Sequence, residues 1–93
     1  MHILEVLKKM DEITTAIIDT ESEEKNILYS DQLQDIYQDL QAFYPQMVAN
    51  AAEYKLISDF LAYDLIDVDE IDIDIYMFGG RLLELILAFE GVQ

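Results

Sequence analysis

Asp69–Glu90 reads DEIDIDIYMFGGRLLELILAFE, and the fold of the whole chain depends on how this stretch is interpreted. Its three isoleucines at 71, 73 and 75 alternate with aspartates, which is typical of a half-buried strand. At helical spacing, one apolar stripe runs the whole length of the stretch: Ile71, Ile75, Phe78, Leu82, Ile86 and Phe89. Because the helical stripe accounts for more residues than the alternation does, it predicts one long or kinked helix over Asp69–Glu90.

A pair of glycines, Gly79-Gly80, lies in the middle of this predicted helix. Two adjacent glycines cost roughly 1–2 kcal/mol in a helix interior, so they predict either a close helix crossing or a break. Beyond them, the apolar residues cover about 200° of the helix, twice the stripe that a surface helix needs: Leu82, Leu83, Leu85, Ile86, Leu87 and Phe89. This arc predicts either a centrally buried C-terminal helix or a homodimer interface.

The rest of the chain is also helical in its periodicity. Ile3–Asp19 has an apolar face and an acidic one, as in an ordinary amphipathic helix. The polar run Thr20–Asn26 is interpreted as a connection, and a second helix is predicted from an N-cap at Ser30 to the residue before Pro45. A third helix is predicted over Pro45–Leu65. We therefore expect an all-α fold, a three- or four-helix bundle that forms a single acidic domain over residues 1–93.

Composition limits the partners. The chain carries 20 acidic and 5 basic residues, a formal charge of −15, yet 53% of its residues are hydrophobic. Such charge favours cationic partners over nucleic acid or anionic membranes. The chain has no cysteine, no apolar run of membrane-spanning length and no secretory signal pattern in its first ten residues. We therefore expect a cytoplasmic protein that binds neither nucleic acid nor a membrane directly.

Two groups of carboxylates are the candidate binding residues. No basic residue lies between Lys55 and Arg81, and this interval holds the acidic cluster: Asp64, Asp67, Asp69, Glu70, Asp72 and Asp74. Tyr63 and Tyr76 flank the cluster, and we interpret them as aromatic anchors because tyrosine is enriched in interface hot spots. The aspartate row consists of Asp31, Asp35 and Asp39, about 6 Å apart along a helix, which resembles the spacing of phosphates along a nucleic-acid strand. A row of this kind is also typical of a simple solvated helix face.

Metal binding and catalysis find no support in the sequence. An EF-hand counted from Asp67 would need Gly at its sixth position and Glu at its twelfth, where this chain has Asp72 and Phe78. His2 is the only histidine, so zinc ligation is not expected. No phosphate-binding glycine loop and no nucleophile with a base beside it can be identified. We expect a protein without cofactor, metal or enzymatic activity.

In composition and helix content, the chain is similar to small phage-encoded inhibitors that mimic nucleic acid, such as anti-restriction and anti-CRISPR proteins. It is also similar to the acidic immunity proteins and antitoxins that neutralise nuclease toxins. Both resemblances imply one mechanism, in which an acidic surface covers the basic nucleic-acid-binding groove of a partner protein. The alternative is a helical adaptor or structural subunit whose charge serves solubility and whose contact is the apolar Leu82–Phe89 surface.

Overall fold

The computed structural model describes residues 2–62 and 71–91, and it describes side chains in the second range from Ile75 onward. Four helices make up the described part: α1 (Ile3–Asp19), α2 (Glu23–Met47), α3 (Ala51–Leu61) and α4 (Ile71–Gly91). They form a bundle of 40 × 23 × 22 Å. The predicted all-α helical bundle is therefore confirmed, and residues 71–75 are helical instead of extended.

Helix α1 has the predicted bounds, because its apolar residues at helical spacing supply one side of the core. Ile3, Leu7 and Met10 have no exposed surface. Its N-cap is His2, whose Nδ1 accepts a hydrogen bond from the backbone N–H of Leu4 at 3.3 Å. The prediction from amphipathic periodicity holds here because nearly every turn of the helix contributes to the core.

Helix α2 begins at Glu23, so the predictions of an N-cap at Ser30 and of a connection over Thr20–Asn26 are wrong. Ser22 is the N-cap, and its hydroxyl accepts from the backbone N–H of Lys25 at 3.3 Å. Ser30 lies inside the helix, where its hydroxyl donates to Asn26 Oδ1 at 3.3 Å. The first two turns form without burying a core residue, since the N-cap and the acidic first turn stabilise this end.

Pro45 does not end α2, which continues to Met47. A proline removes one intrahelical hydrogen bond, to the carbonyl four residues before it. Both Pro45 and Gln41, whose carbonyl loses that bond, are exposed residues, so water can satisfy the carbonyl. The predicted third helix over Pro45–Leu65 therefore starts too early. Helix α3 begins at Ala51, after the N-cap Asn50, whose Oδ1 accepts from the backbone N–H of Glu53 at 2.9 Å.

Helix α4 is continuous through Gly79-Gly80, and the two glycines face different surroundings. A Cβ added to Gly79 would lie 3.1 Å from Cγ2 of Thr14, whereas one added to Gly80 would meet no atom within 4 Å. Gly79 therefore lies where α4 crosses α1 closely, as one of the two predicted alternatives requires. The apolar arc is divided by the fold. Leu82, Leu85, Ile86 and Phe89 are buried, while Leu83 and Leu87 are 50% and 59% exposed.

Candidate partner-binding surface

The aspartate row lies on the outer face of α2. All three side chains, Asp31, Asp35 and Asp39, are exposed, as predicted for a charged surface. Successive carboxylates are separated by about 6 Å along the helix axis and by about 40° around it. The row therefore presents three negative charges over about 12 Å of helix.

The aspartate row makes no ion pair within the described part of the chain. Two surface ion pairs of the described residues lie elsewhere: Nζ of Lys8 is 3.5 Å from Oε1 of Glu90, and Nζ of Lys9 is 4.0 Å from Oε2 of Glu12. Since like charges four residues apart in a helix destabilise it by a few tenths of a kcal/mol per pair, the row carries a small uncompensated cost.

An apolar groove runs beside the row, between α1 and α2. Its wider part, about 620 Å³, is lined by Val6 and Lys9 from α1 and by Phe43 and Met47 from α2, among others. Asp39 belongs to the same lining. Phe43 has the helical spacing of the buried residues Leu33, Tyr37 and Leu40, but it is 50% exposed and lines this groove.

A narrower part of the groove, about 370 Å³, continues in the direction of the N-terminal half of α2. It is lined by Lys9 and Ile13 from α1 and by Gln32 and Asp35 from α2. Ile36 lines both parts. We call the two parts together the α1–α2 groove. Two of the three members of the aspartate row, Asp35 and Asp39, therefore stand at its edge, while Asp31 lines neither part.

Most of the acidic cluster lies outside the described residues. This applies to Asp64, Asp67, Asp69 and Glu70, and also to the flanking Tyr63. The backbone of Asp72 and Asp74 belongs to the first turn of α4, but the structure describes side chains on this helix only from Ile75 onward. Tyr76, the second predicted aromatic anchor, is 66% exposed on α4. The role of the cluster in binding stays a prediction.

One carboxylate has a structural place that the sequence analysis missed. Glu53 is only 1% exposed; its Oε1 accepts a hydrogen bond from the backbone N–H of Ala49 at 2.9 Å and lies 3.3 Å from Nε2 of His2. Because Nδ1 of His2 already accepts from Leu4, the Nε2–H tautomer of the neutral imidazole satisfies both contacts. Glu53 thus joins the start of α3 to the start of α1. The signal in the sequence was Asn50 followed three residues later by Glu53, which is typical of a capping box.

A pair of tyrosines lies where α2 meets α3. The ring centroids of Tyr44 and Tyr54 are 5.4 Å apart. A side-chain hydrogen bond from Tyr54 lowers the pKa of Tyr44 below its ordinary value, and the same hydrogen bond raises the pKa of Tyr54. The two phenols therefore ionise at different pH, because the one that accepts the hydrogen bond is stabilised as an anion.

The described residues contain no group of three or more acidic or histidine side chains placed to hold a metal ion. Within the same residues, no helix has the length and apolarity that crossing a bilayer requires. Comparison with family models, with curated proteins and with solved structures finds no match to this chain. A function for this chain is therefore inferred from the charge and shape of its surface.

Proposed function

We propose that this protein is a small acidic inhibitor that binds a basic, nucleic-acid-binding protein and covers the surface that its nucleic acid would occupy. The partner is a protein of the cytoplasm, and the inhibitor is of the kind that phages use against bacterial defence systems. The observation that carries the proposal is the aspartate row, which is exposed and has no cationic partner among the described residues.

The physical basis is electrostatic. A chain with a charge of −15 attracts a cationic surface from a distance and accelerates encounter. On contact, water is excluded between the two surfaces, and each charge pair becomes stronger as the local dielectric falls. Three carboxylates along one helix can engage the same basic groove that binds successive phosphates. The mechanism requires no cofactor and no chemistry on the partner.

The test compares two triple charge reversals. The first replaces Asp31, Asp35 and Asp39 with Lys. The matched control replaces three exposed carboxylates outside α2, Asp19, Glu21 and Asp59, so that both variants change the net charge by the same six units. The Lys row keeps like charges at the same helical spacing, so circular dichroism should show an unchanged helix content in both variants.

Binding is measured with nucleic-acid-binding proteins captured from a bacterial lysate at low salt and then purified. We expect the wild-type protein to displace labelled DNA from such a partner, with an apparent affinity that falls steeply as salt rises. The row variant should lose this displacement, and the control variant should keep most of it. If both variants displace DNA equally well, or if a captured partner keeps its DNA when saturated, the aspartate row is not a nucleic-acid mimic.

A helical adaptor is the second candidate, and a specific feature of α4 favours it. Tyr76, Leu83 and Leu87 are each at least half exposed and lie within about 40° of one another around the helix. An apolar contact through this face would tolerate salt, whereas contact through the aspartate row would not. The salt dependence of the complex therefore separates the two candidates.

A further inference from the structure

The α1–α2 groove combines an apolar floor with an acidic edge. Val6, Ile13 and Ile36 lie between the two helices, and Phe43 contributes a ring that is 50% exposed. This ring stands beside an open space of about 620 Å³. Exposed aromatic residues next to a concavity are typical of the anchors of protein interfaces.

The charges at the edge select the occupant. Glu5, Asp35 and Asp39 line the groove, against the single ammonium group of Lys9, which itself lies 4.0 Å from Glu12. An acidic occupant would be repelled by this edge, and a purely apolar one would leave the carboxylates without a counter-charge. A second copy of this chain is a poor occupant because it carries the same charge of −15.

The length of the groove indicates the form of the occupant. Along α2 the lining extends from Gln32 to Met47, fifteen steps of 1.5 Å, or about 22 Å. A helix of roughly 15 residues has the same length. An amphipathic helix laid in a groove between two helices is a common mode of recognition, with apolar anchors facing the floor. Met47, half-buried at the wider end, has a flexible side chain that can adapt to an anchor of varied shape.

We infer that the α1–α2 groove binds a basic amphipathic helix of the partner protein, with an apolar anchor beside Phe43 and basic side chains against Asp35 and Asp39. This inference rests on the proposed function in one respect, that the partner is basic. It adds a definite contact that a phosphate-mimicking row alone does not need. The row would then provide encounter and orientation, and the groove would set the lifetime of the complex.

The test uses a peptide of roughly 15 residues, held helical by a side-chain cross-link, with leucine and phenylalanine on one face and lysine and arginine beside it. A scrambled peptide of the same composition and cross-link has the same charge and no apolar face. Binding to the full chain is followed by fluorescence anisotropy at low and high salt. We expect the amphipathic peptide to bind at least about tenfold more tightly than the scrambled one.

Two pairs of variants test the site itself. Phe43→Ala should weaken peptide binding at least about tenfold, while Leu28→Ala, which is 55% exposed near the start of α2 and lines no part of the groove, should leave it unchanged. Asp39→Asn should weaken binding several-fold, and Asp31→Asn, in the same row but outside the groove, should have less effect. Circular dichroism verifies that each variant is folded. Because Phe43 is 50% exposed and is not one of the buried core residues, its truncation should not unfold the chain.

Three results would overturn the inference: equal binding of both peptides, an unchanged affinity in Phe43→Ala, or a wild-type dimer in sedimentation that this substitution dissociates. The last would place a second copy in the groove. Failure of the inference differs from failure of the proposed function. If the row reversal abolishes DNA displacement and Phe43→Ala does not affect it, the groove does not take part in partner binding and nucleic-acid mimicry by the row is supported. If the peptide binds as expected and no partner loses its DNA, helix binding in the groove is supported and the proposed nucleic-acid mimicry is wrong.

Discussion

Replacing Gly80 with Ala should stabilise the protein. Gly80 lies inside α4, and a methyl group added there would meet no atom within 4 Å. Alanine adopts helical backbone angles without strain, and it loses less conformational entropy on folding than glycine does. The expected gain is about 0.8–1 kcal/mol in the free energy of unfolding. For a chain of this size, that gain corresponds to a rise in melting temperature of roughly 4–8 °C.

Gly79→Ala is the matched control. It should bring the same gain in helix propensity as Gly80→Ala, but the added methyl group meets different surroundings. The added methyl would lie 3.1 Å from Cγ2 of Thr14. Thr14 is 1% exposed, and its hydroxyl donates to the carbonyl of Met10 at 2.8 Å, so it has little freedom to move. Overpacking a core typically costs 1–3 kcal/mol. We therefore expect Gly79→Ala to be neutral or destabilising by up to about 2 kcal/mol.

Urea and thermal unfolding followed by circular dichroism measure both variants, and an unchanged m-value shows that only stability has changed. The double variant Gly79→Ala with Thr14→Ser removes Cγ2 and keeps the hydroxyl. It should recover much of the lost stability, beyond the sum of the two single changes. The reasoning is refuted if Gly79→Ala stabilises as much as Gly80→Ala does. It is also refuted if Gly80→Ala destabilises the chain, since that face of α4 would then be covered.

Further predictions concern the buried carboxylate, the tyrosine pair and the net charge. Glu53→Ala should lower the free energy of unfolding by about 1–3 kcal/mol, because the N–H of Ala49 loses its acceptor and His2 loses the carboxylate beside it. Glu53→Gln keeps an acceptor, and urea unfolding should show less than half of that loss. In an NMR titration of ring-labelled tyrosines, Tyr44 should ionise at lower pH than Tyr54, and Tyr54→Phe should raise the pKa of Tyr44 towards its ordinary value. Ionisation of Tyr54 at lower pH than Tyr44 would contradict that order. The melting temperature should rise between low salt and about 0.5 M salt, because screening weakens repulsion in a chain of charge −15; indifference to salt would indicate well-dispersed charges. Replacing the aspartate row with asparagines should raise the free energy of unfolding by roughly 0.5 kcal/mol, the repulsion of two pairs.

The helices that contribute to the core along their length could be predicted from the sequence, and the others could not. The bounds of α1 follow from its apolar face, and the helical stripe through Phe78 and Leu82 correctly outweighed the alternation of Ile71–Ile75. The start of α2 was missed because Ile27 and Leu28 are 64% and 55% exposed, so the first turns give no core periodicity. Capping by Ser22 forms that end of the helix without a hydrophobic signal.

The candidate site was only partly visible for a related reason. Exposure of the aspartate row follows from its spacing opposite the apolar face. The groove does not, because it depends on the distance between α1 and α2, and Phe43 has the periodicity of a core residue. Helical spacing gives the direction of a side chain, but it does not say whether a neighbouring helix comes close enough to cover it.

The repulsion within the aspartate row makes it possible to test whether the row serves solubility or partner recognition. If the row served only solubility, any exposed carboxylate would do, and neutralising these three would leave partner binding unchanged while removing the repulsion. If the row recognises a partner, the same asparagine variant should be more stable and bind less well, the usual exchange of stability for function at a binding surface. Unfolding and DNA displacement measured on one preparation of the variant distinguish these cases. A variant that is stabilised and still displaces DNA would assign the row to solubility and leave the exposed apolar face of α4 as the leading contact.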